Sequence, residues 1–309
     1  MKLCAVSVDL DEVPCYHAIH GLPMPEGRAA HAVYDLGVPR CAELFSDIGI
    51  PATFFVIGED LAHEPAADAA RALVERGHEL GNHTQHHRYD LVRLGADRIR
   101  AEVRDAADAI DRATGTRPVG FRAPGYTITD EVFDVLRAEG YAYDSSVFPC
   151  PAYFGAKTAA ISLIAMRGRT SRSIVDTPSV LRAPADPYVP GRPYWTRGAG
   201  ALVELPIGVT RWARLPFIGT SVALAGAAGT RLLTRQMVGR PLVNLELHGL
   251  DLLDAGDGLG SLSQHQRDLA ITVSAKRAAL RAAVSTLRDA GYAFVTLAKA
   301  AERARSAVA

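Results

Sequence analysis

Cysteine is scarce in this chain of 309 residues: there are four, Cys4, Cys15, Cys41 and Cys150. No two are closely spaced, which excludes a zinc ribbon and a dithiol redox motif. Reduced thiols in a cytoplasmic protein are the simplest reading. Charge of one sign is also missing, since 34 basic residues face 34 acidic ones. That balance removes the electrostatic footprint of a nucleic-acid-binding protein and leaves no acidic tail. Long apolar runs are absent too. The longest uncharged stretch, Leu215 to Thr230, has 16 residues and is interrupted by Pro216, Gly219, Gly226 and Gly229. It is too short to cross a bilayer as a helix. No apolar leader with a small-residue cleavage site precedes Leu3, so the expected location is the cytoplasm, with peripheral contact at the inner face of the membrane as the one membrane option.

What is present is an apolar fraction of 48% with 22% charged residues, the composition of a folded chain with a large core. Short apolar segments alternate with amphipathic ones. Strands are expected at Leu3–Val8, Ala52–Ile57, Glu79–Asn82, Val119–Arg122, Tyr141–Asp144, Leu202–Pro206, Leu242–His248 and Phe294–Leu297. Helices are expected at Val38–Ile48, Ala66–Arg76, Ala96–Ala113, after an N-cap at Thr129, and across Gln264–Ala290. Two stretches break the alternation. Residues 149–200 read as an irregular insertion rich in Pro, Arg, Ser and Tyr, and residues 209–240 as a second. No internal repeat is visible. Seven or eight β-α units predict a parallel sheet closed as a barrel, in a single domain over 1–309.

Residues able to do chemistry cluster at the ends of these strands: Asp9 and Asp11, His83 and His87, Arg122, Asp144 and His248. Barrel enzymes assemble their sites at the C-terminal ends of strands. His83 and His87 are one helical turn apart, so a helical segment would aim both imidazoles at one ion, zinc or a similar metal. An Asp-x-Asp pair at a strand end brings two carboxylates together. One can complete a two-His, one-Asp metal site and the other can accept a proton from water. Arg122 can hold the basic carboxylate ionised through a charge-assisted pair. His248 can protonate a leaving amine, with Asp144 to orient it and raise its pKa. Tyr126 is a candidate to line the pocket, and Asp251 and Asp254 to touch substrate. His86 lies between the two candidate ligands and is expected to point elsewhere.

Taken together, the Asp9/Asp11 pair, His83-Thr84-Gln85-His86-His87, Phe121-Arg122-Ala123-Pro124, Asp144 and Leu245-Glu246-Leu247-His248 resemble the polysaccharide deacetylase (NodB-homology, carbohydrate esterase family 4-like) family. The resemblance covers roughly residues 2–148, 202–208 and 241–300. It implies a distorted (β/α)7 barrel carrying the two insertions. It implies Zn2+, or Co2+, Ni2+ or Mn2+ in its place, on Asp11, His83 and His87. Asp9 would match the general base, Arg122 its partner, His248 the general acid, Asp144 the residue that tunes His248, and Leu245 the apolar residue of the acyl pocket. The chain departs from the family pattern in having Asp9-Leu10-Asp11 where two adjacent aspartates are usual, and in lacking a Trp after Asp144. The first-strand form also resembles enzymes that deformylate lipid-linked aminosugars.

The expected reaction is metal-assisted removal of an acetyl or formyl group from the nitrogen of an aminosugar-containing substrate, lipid-linked in one version. The alternatives are a small-molecule amidohydrolase and a non-catalytic sugar- or lipid-binding barrel. The segment Leu215–Thr230, flanked by Arg211, Arg214, Arg231 and Arg235, is expected to form an apolar lid or a shallow membrane contact at the site's mouth.

Overall fold

A computed structural model describes residues 2–308. Met1 and Ala309, both inside the expected 1–309 domain, lie outside the described residues. Eight strands form one parallel sheet: β1 (Leu3–Asp9), β2 (Thr53–Val56), β3 (Glu79–Asn82), β4 (Gly120–Phe121), β5 (Tyr143–Asp144), β6 (Val203–Glu204), β7 (Leu242–His248) and β8 (Ala293–Phe294). Their order is β6-β5-β4-β3-β2-β1-β7, with β8 against the start of β1. The sheet is a curled, incompletely closed barrel, the distorted seven-strand form expected, rather than a full ring.

β1 is buried along its whole length, as a parallel strand covered on both faces must be. Its apolar residues pack outward against helices such as Val38–Asp47 and Val273–Asp289. The seam lies between β6 and β7. There the Asn244 side-chain amide donates to the carbonyls of Leu205 (3.0 Å) and Pro206 (3.3 Å), and the Gly208 N–H donates to the Asn244 carbonyl (2.8 Å). A Cβ at Gly208 would stand 2.4 Å from that carbonyl oxygen, so only glycine allows the backbones to meet.

Register levels the strand ends. Asp9 pairs with Phe55 on β2 and with His248 on β7, while Asn82 pairs with Phe121 and Phe121 with Asp144. The polar residues at or just beyond these ends therefore share one rim.

Several boundaries differ from the sequence reading. A helix absent from it, Val13–His20, follows Asp11 directly. The Glu12 carboxylate starts it, accepting from the Val13 N–H at 3.1 Å and from the Tyr34 N–H at 2.9 Å. The long helix begins at Val273 rather than near Gln264, because the Thr272 hydroxyl caps it by accepting from the Ala275 N–H. The first insertion is not wholly irregular: it opens with the 16-residue helix Pro151–Met166. Composition hid this element, since its apolar residues are spread around the helix and leave no stripe. The second insertion contains a helical stretch, Gly219–Arg235, broken at Gly226 (φ +61°). Within the expected apolar patch Leu215 and Leu224 are exposed, but Phe217, Ile218 and Val222 are buried, so much of that patch faces inward.

Candidate metal and catalytic site

Asp11 lies two residues past the end of β1. Its Oδ1 is 3.2 Å from His83 Nε2 and 3.2 Å from His87 Nε2, and all three residues are buried. His83 sits immediately after β3, where its Nδ1 meets the Arg122 carbonyl at 2.7 Å. That contact fixes the ring and leaves Nε2 facing Asp11. The helical route expected for the two histidines is not the one taken. Residues 83–87 form a loop with positive φ at Thr84 (68°) and His87 (46°). The backbone reverses, and the rings lie 4.8 Å apart, centroid to centroid.

These residues fit a cation. Asp11 Oδ1 and both ring nitrogens of His87 are buried without a hydrogen-bond partner, a costly condition for polar atoms unless something binds them. One carboxylate oxygen and two imidazole nitrogens converging from three positions form the donor set of an open divalent-metal site. His86 points away and bonds Glu102 through Nδ1 at 2.9 Å.

Asp9, at the end of β1, is held by Arg122. The guanidinium is fully buried and uses four donor contacts: NH1 to Asp9 Oδ1 (2.6 Å), NH2 to Ser7 Oγ (2.9 Å) and Ser145 Oγ (2.8 Å), and Nε to the Ser145 carbonyl (2.8 Å). It also stacks over the Phe55 ring at 4.3 Å. Asp9 Oδ2 remains toward His83 Nε2, at 3.9 Å. Burial pushes the Asp9 carboxyl up from its ordinary value, against the pull of Arg122 and His83.

His248 ends β7 and is about a quarter exposed at the side chain. Its Nδ1 lies 3.0 Å from Glu246 Oε1 and its Nε2 lies 3.3 Å from the Tyr126 hydroxyl. Burial works against its protonated form, but the Glu246 carboxylate outweighs that and holds the imidazole well above its ordinary pKa. Glu246 therefore takes the position expected of Asp144. Asp144 instead accepts from the Ser146 N–H (3.0 Å) and hydroxyl (2.7 Å), and the Ser146 oxygen receives the Ala123 N–H (2.8 Å). Asp144 supports the loop that carries Arg122, and no contact joins it to His248. The signal for Glu246 was in the sequence: positions 246 and 248 of a strand share a face.

The same alternation removes Leu245 from the pocket. Asn244, Glu246 and His248 face the barrel interior, so Leu245 faces the outer helices, buried in the core with Leu280 and Val284. Asp251 is buried, and its Oδ2 accepts from the His248 N–H at 2.8 Å. Burial and the neighbouring Asp268 push its pKa to about 7. Tyr126, at φ +59° after Gly125, turns its ring into the cavity.

Asp9, Asp11, Tyr126, His248 and Asp251 all line a cavity of about 180 Å³, joined in that lining by Tyr16, Tyr89, Tyr153, Lys157 and Ile218. A larger groove of about 830 Å³ shares Tyr89 with it and is lined by His87, Arg88, Arg93 and Arg172 among others. Tyr153, Lys157 and Arg172 come from the first insertion and Ile218 from the second. The rim position of the first-insertion residues was not readable from local sequence, whereas the second insertion, which carries Ile218, was expected at the site's mouth.

The polysaccharide deacetylase family model matches residues 31–143. Among curated relatives, a peptidoglycan deacetylase of Helicobacter pylori is 26% identical over 147 residues, 47% of this chain and 49% of that protein. A chitooligosaccharide deacetylase of a Bradyrhizobium strain is 33% identical over 121 residues, 37% of this chain and 54% of that protein. The chain thus spans about half the length of these relatives. A solved polysaccharide deacetylase-type structure from Mycobacterium smegmatis aligns with a TM-score of 0.59 at 21% identity, over 99% of this chain and 91% of the other. Over residues 31–143 the chain is similar to the polysaccharide deacetylases, and its fold is the one that the solved structure shares.

Proposed function

We propose that the protein is a metal-dependent hydrolase that removes an N-acyl group, acetyl or formyl, from an aminosugar-containing substrate. The observation that carries this reading is the convergence of Asp11 Oδ1 and the Nε2 atoms of His83 and His87, with Asp11 Oδ1 and the His87 nitrogens unsatisfied. A divalent ion such as Zn2+ held there would polarise the acyl carbonyl and lower the pKa of water.

The chain's own residues do the rest. Asp9, with Oδ1 fixed by Arg122, takes a proton from the attacking water at Oδ2. Water oxygen bonds to the acyl carbon, and the carbon–nitrogen bond breaks. His248 Nε2, protonated through its pairing with Glu246, delivers a proton to the departing nitrogen. The products are a free amine and a carboxylic acid. Tyr126, hydrogen-bonded to the same Nε2, positions the ring between turnovers, and Asp251 holds the backbone of His248. A cavity of about 180 Å³ suits a short acyl group and part of one sugar ring. The four unpaired cysteines are consistent with a reducing, cytoplasmic setting.

The test is acetate and formate release from N-acetyl and N-formyl aminosugars, free, lipid-linked and polymeric. Protein stripped by chelator and reloaded with Zn2+, Co2+, Ni2+ or Mn2+ is compared. Activity restored by metal supports the reading. Activity indifferent to metal favours a metal-free amidohydrolase, and tight sugar binding without release favours a non-catalytic barrel.

A further inference from the structure

The helix Pro151–Met166 is anomalous. None of its residues is buried, although it is built almost wholly of apolar and small residues and carries a single charge, Lys157. Leu163 is 42% exposed and Met166 78% exposed. Its two exposed hydroxyls are turned back into the helix. Thr158 Oγ1 donates to the Phe154 carbonyl (2.8 Å) and Ser162 Oγ to the Thr158 carbonyl (2.9 Å), so neither requires water. Charge in the sequence about the helix is of one sign, and the nearest following acid, Asp176, faces Lys157 in the first half. Residues 145–175 contain no Asp or Glu, and Arg167, Arg169 and Arg172 follow its end. None of these three arginines has a carboxylate within ion-pair distance among the described residues, whereas many other surface arginines do.

The two halves of the helix differ. Its first turns are tied to the site: Tyr153 packs on Phe148 (4.7 Å between centroids), and Lys157 Nζ donates to the Gly125 carbonyl (2.8 Å). Tyr153 and Lys157 line the small cavity, and Arg172 lines the groove beside it. The second half, from Thr158 onward, has no such tie. Sixteen residues make a helix of about 24 Å, and no helix among the described residues is long and apolar enough to cross a membrane. A helix that is apolar all round yet exposed and too short to span, followed by arginines without carboxylate partners, suits the boundary of an anionic bilayer, with its apolar end among the acyl chains and the arginines at the headgroups.

We infer that the second half of this helix, with Arg167 and Arg169, docks on an anionic lipid surface and presents the cavity mouth to it. The substrate class that follows is a membrane-anchored acylated aminosugar; this last step rests on the proposed function, the docking itself does not. The membrane contact is thereby placed on the first insertion rather than on the partly buried Leu215–Thr230 segment.

The full chain is co-sedimented with phosphatidylcholine vesicles with and without phosphatidylglycerol. Sedimentation velocity and acyl release from a water-soluble N-acyl aminosugar are measured alongside. Pelleting with phosphatidylglycerol at low salt is expected, and little with phosphatidylcholine alone. The double variant Leu163→Glu/Met166→Glu should remain in the supernatant. Arg167→Glu/Arg169→Glu should weaken binding at least about tenfold. Both variants should hydrolyse the soluble substrate like wild type. Wild type left in the supernatant in both lipids, or equal pelleting of the Leu163→Glu/Met166→Glu protein, overturns the inference. So does a dimer that this variant dissolves without any vesicle binding, which would assign the face to a second copy. Metal-independent or absent acyl release with intact vesicle binding would remove the proposed function and leave the docking standing.

Discussion

The two ends of the candidate site's rim are built differently. On one side, Asp9 and Arg122 are completely buried, and Arg122 is fastened by two serines, a carbonyl and a carboxylate. On the other, His248 is about a quarter exposed, with one carboxylate at Nδ1 and one phenol at Nε2. The buried side holds its charges where water cannot screen them. The open side holds a group that, in the proposed reaction, would exchange its proton with solvent or substrate in every cycle. On that reading the difference separates a fixed charge from a proton carrier.

The largest expected effect comes from removing a proposed metal ligand between these two sides. His83→Ala should lose bound metal, read by elemental analysis, and bring turnover to background, while the circular-dichroism spectrum stays that of a folded protein. Full metal occupancy in that variant would place the ion elsewhere. Asp9→Asn tests the buried side directly. The amide cannot accept the water proton, so kcat should fall ~10²–10⁴-fold with metal content unchanged. A fall of less than about threefold would move the base role to another residue.

Glu246→Gln tests the open side. His248 has its pKa raised by Glu246, so its protonated form persists to higher pH and activity is lost as pH rises through that raised value. With glutamine at 246 the alkaline limb of kcat/KM should move to lower pH. An unmoved limb would mean that another group donates the proton. The smallest effect is expected from Asp144→Asn. The Ser146 contacts can be kept in part by an amide, and no contact reaches His248. The alkaline limb should stay where it is in wild type, and a shift comparable to that of Glu246→Gln would restore Asp144 as the tuning residue.

Much of this arrangement could be read locally. Strand ends are visible as apolar segments that stop at a polar residue, and a parallel sheet gathers those ends on one rim. Asp9, Asp11, His83, His87, Arg122 and His248 were singled out that way, and the structure brings them to one rim. The misreadings arose where strand alternation was not applied. Asp144 and Glu246 both sit at or near strand ends, and the two-residue alternation within β7 puts Glu246 on the face of His248. Leu245 was placed by analogy, and the alternation of side chains along its own strand removes it. The 83–87 spacing fits a helical turn or a reversed loop equally well, and the positive φ values that decide between them are carried by Thr84 and His87, residues without glycine's usual signature. The rim residue Lys157 depends on where the first insertion folds back, which no local pattern encodes, whereas the place of the second insertion between two strand ends already pointed Ile218 to the mouth.

Arg122 has five N–H bonds, and four contacts already engage them. This fully buried positive charge is thus spoken for before any substrate arrives and has almost nothing left to offer one. An incoming anionic group must be met by side chains nearer the surface, so ligand preference and the fixed field of the barrel can vary independently. Exchanging the outer cations would change which molecules enter, while the electrostatic setting of Asp9 stayed as folding left it.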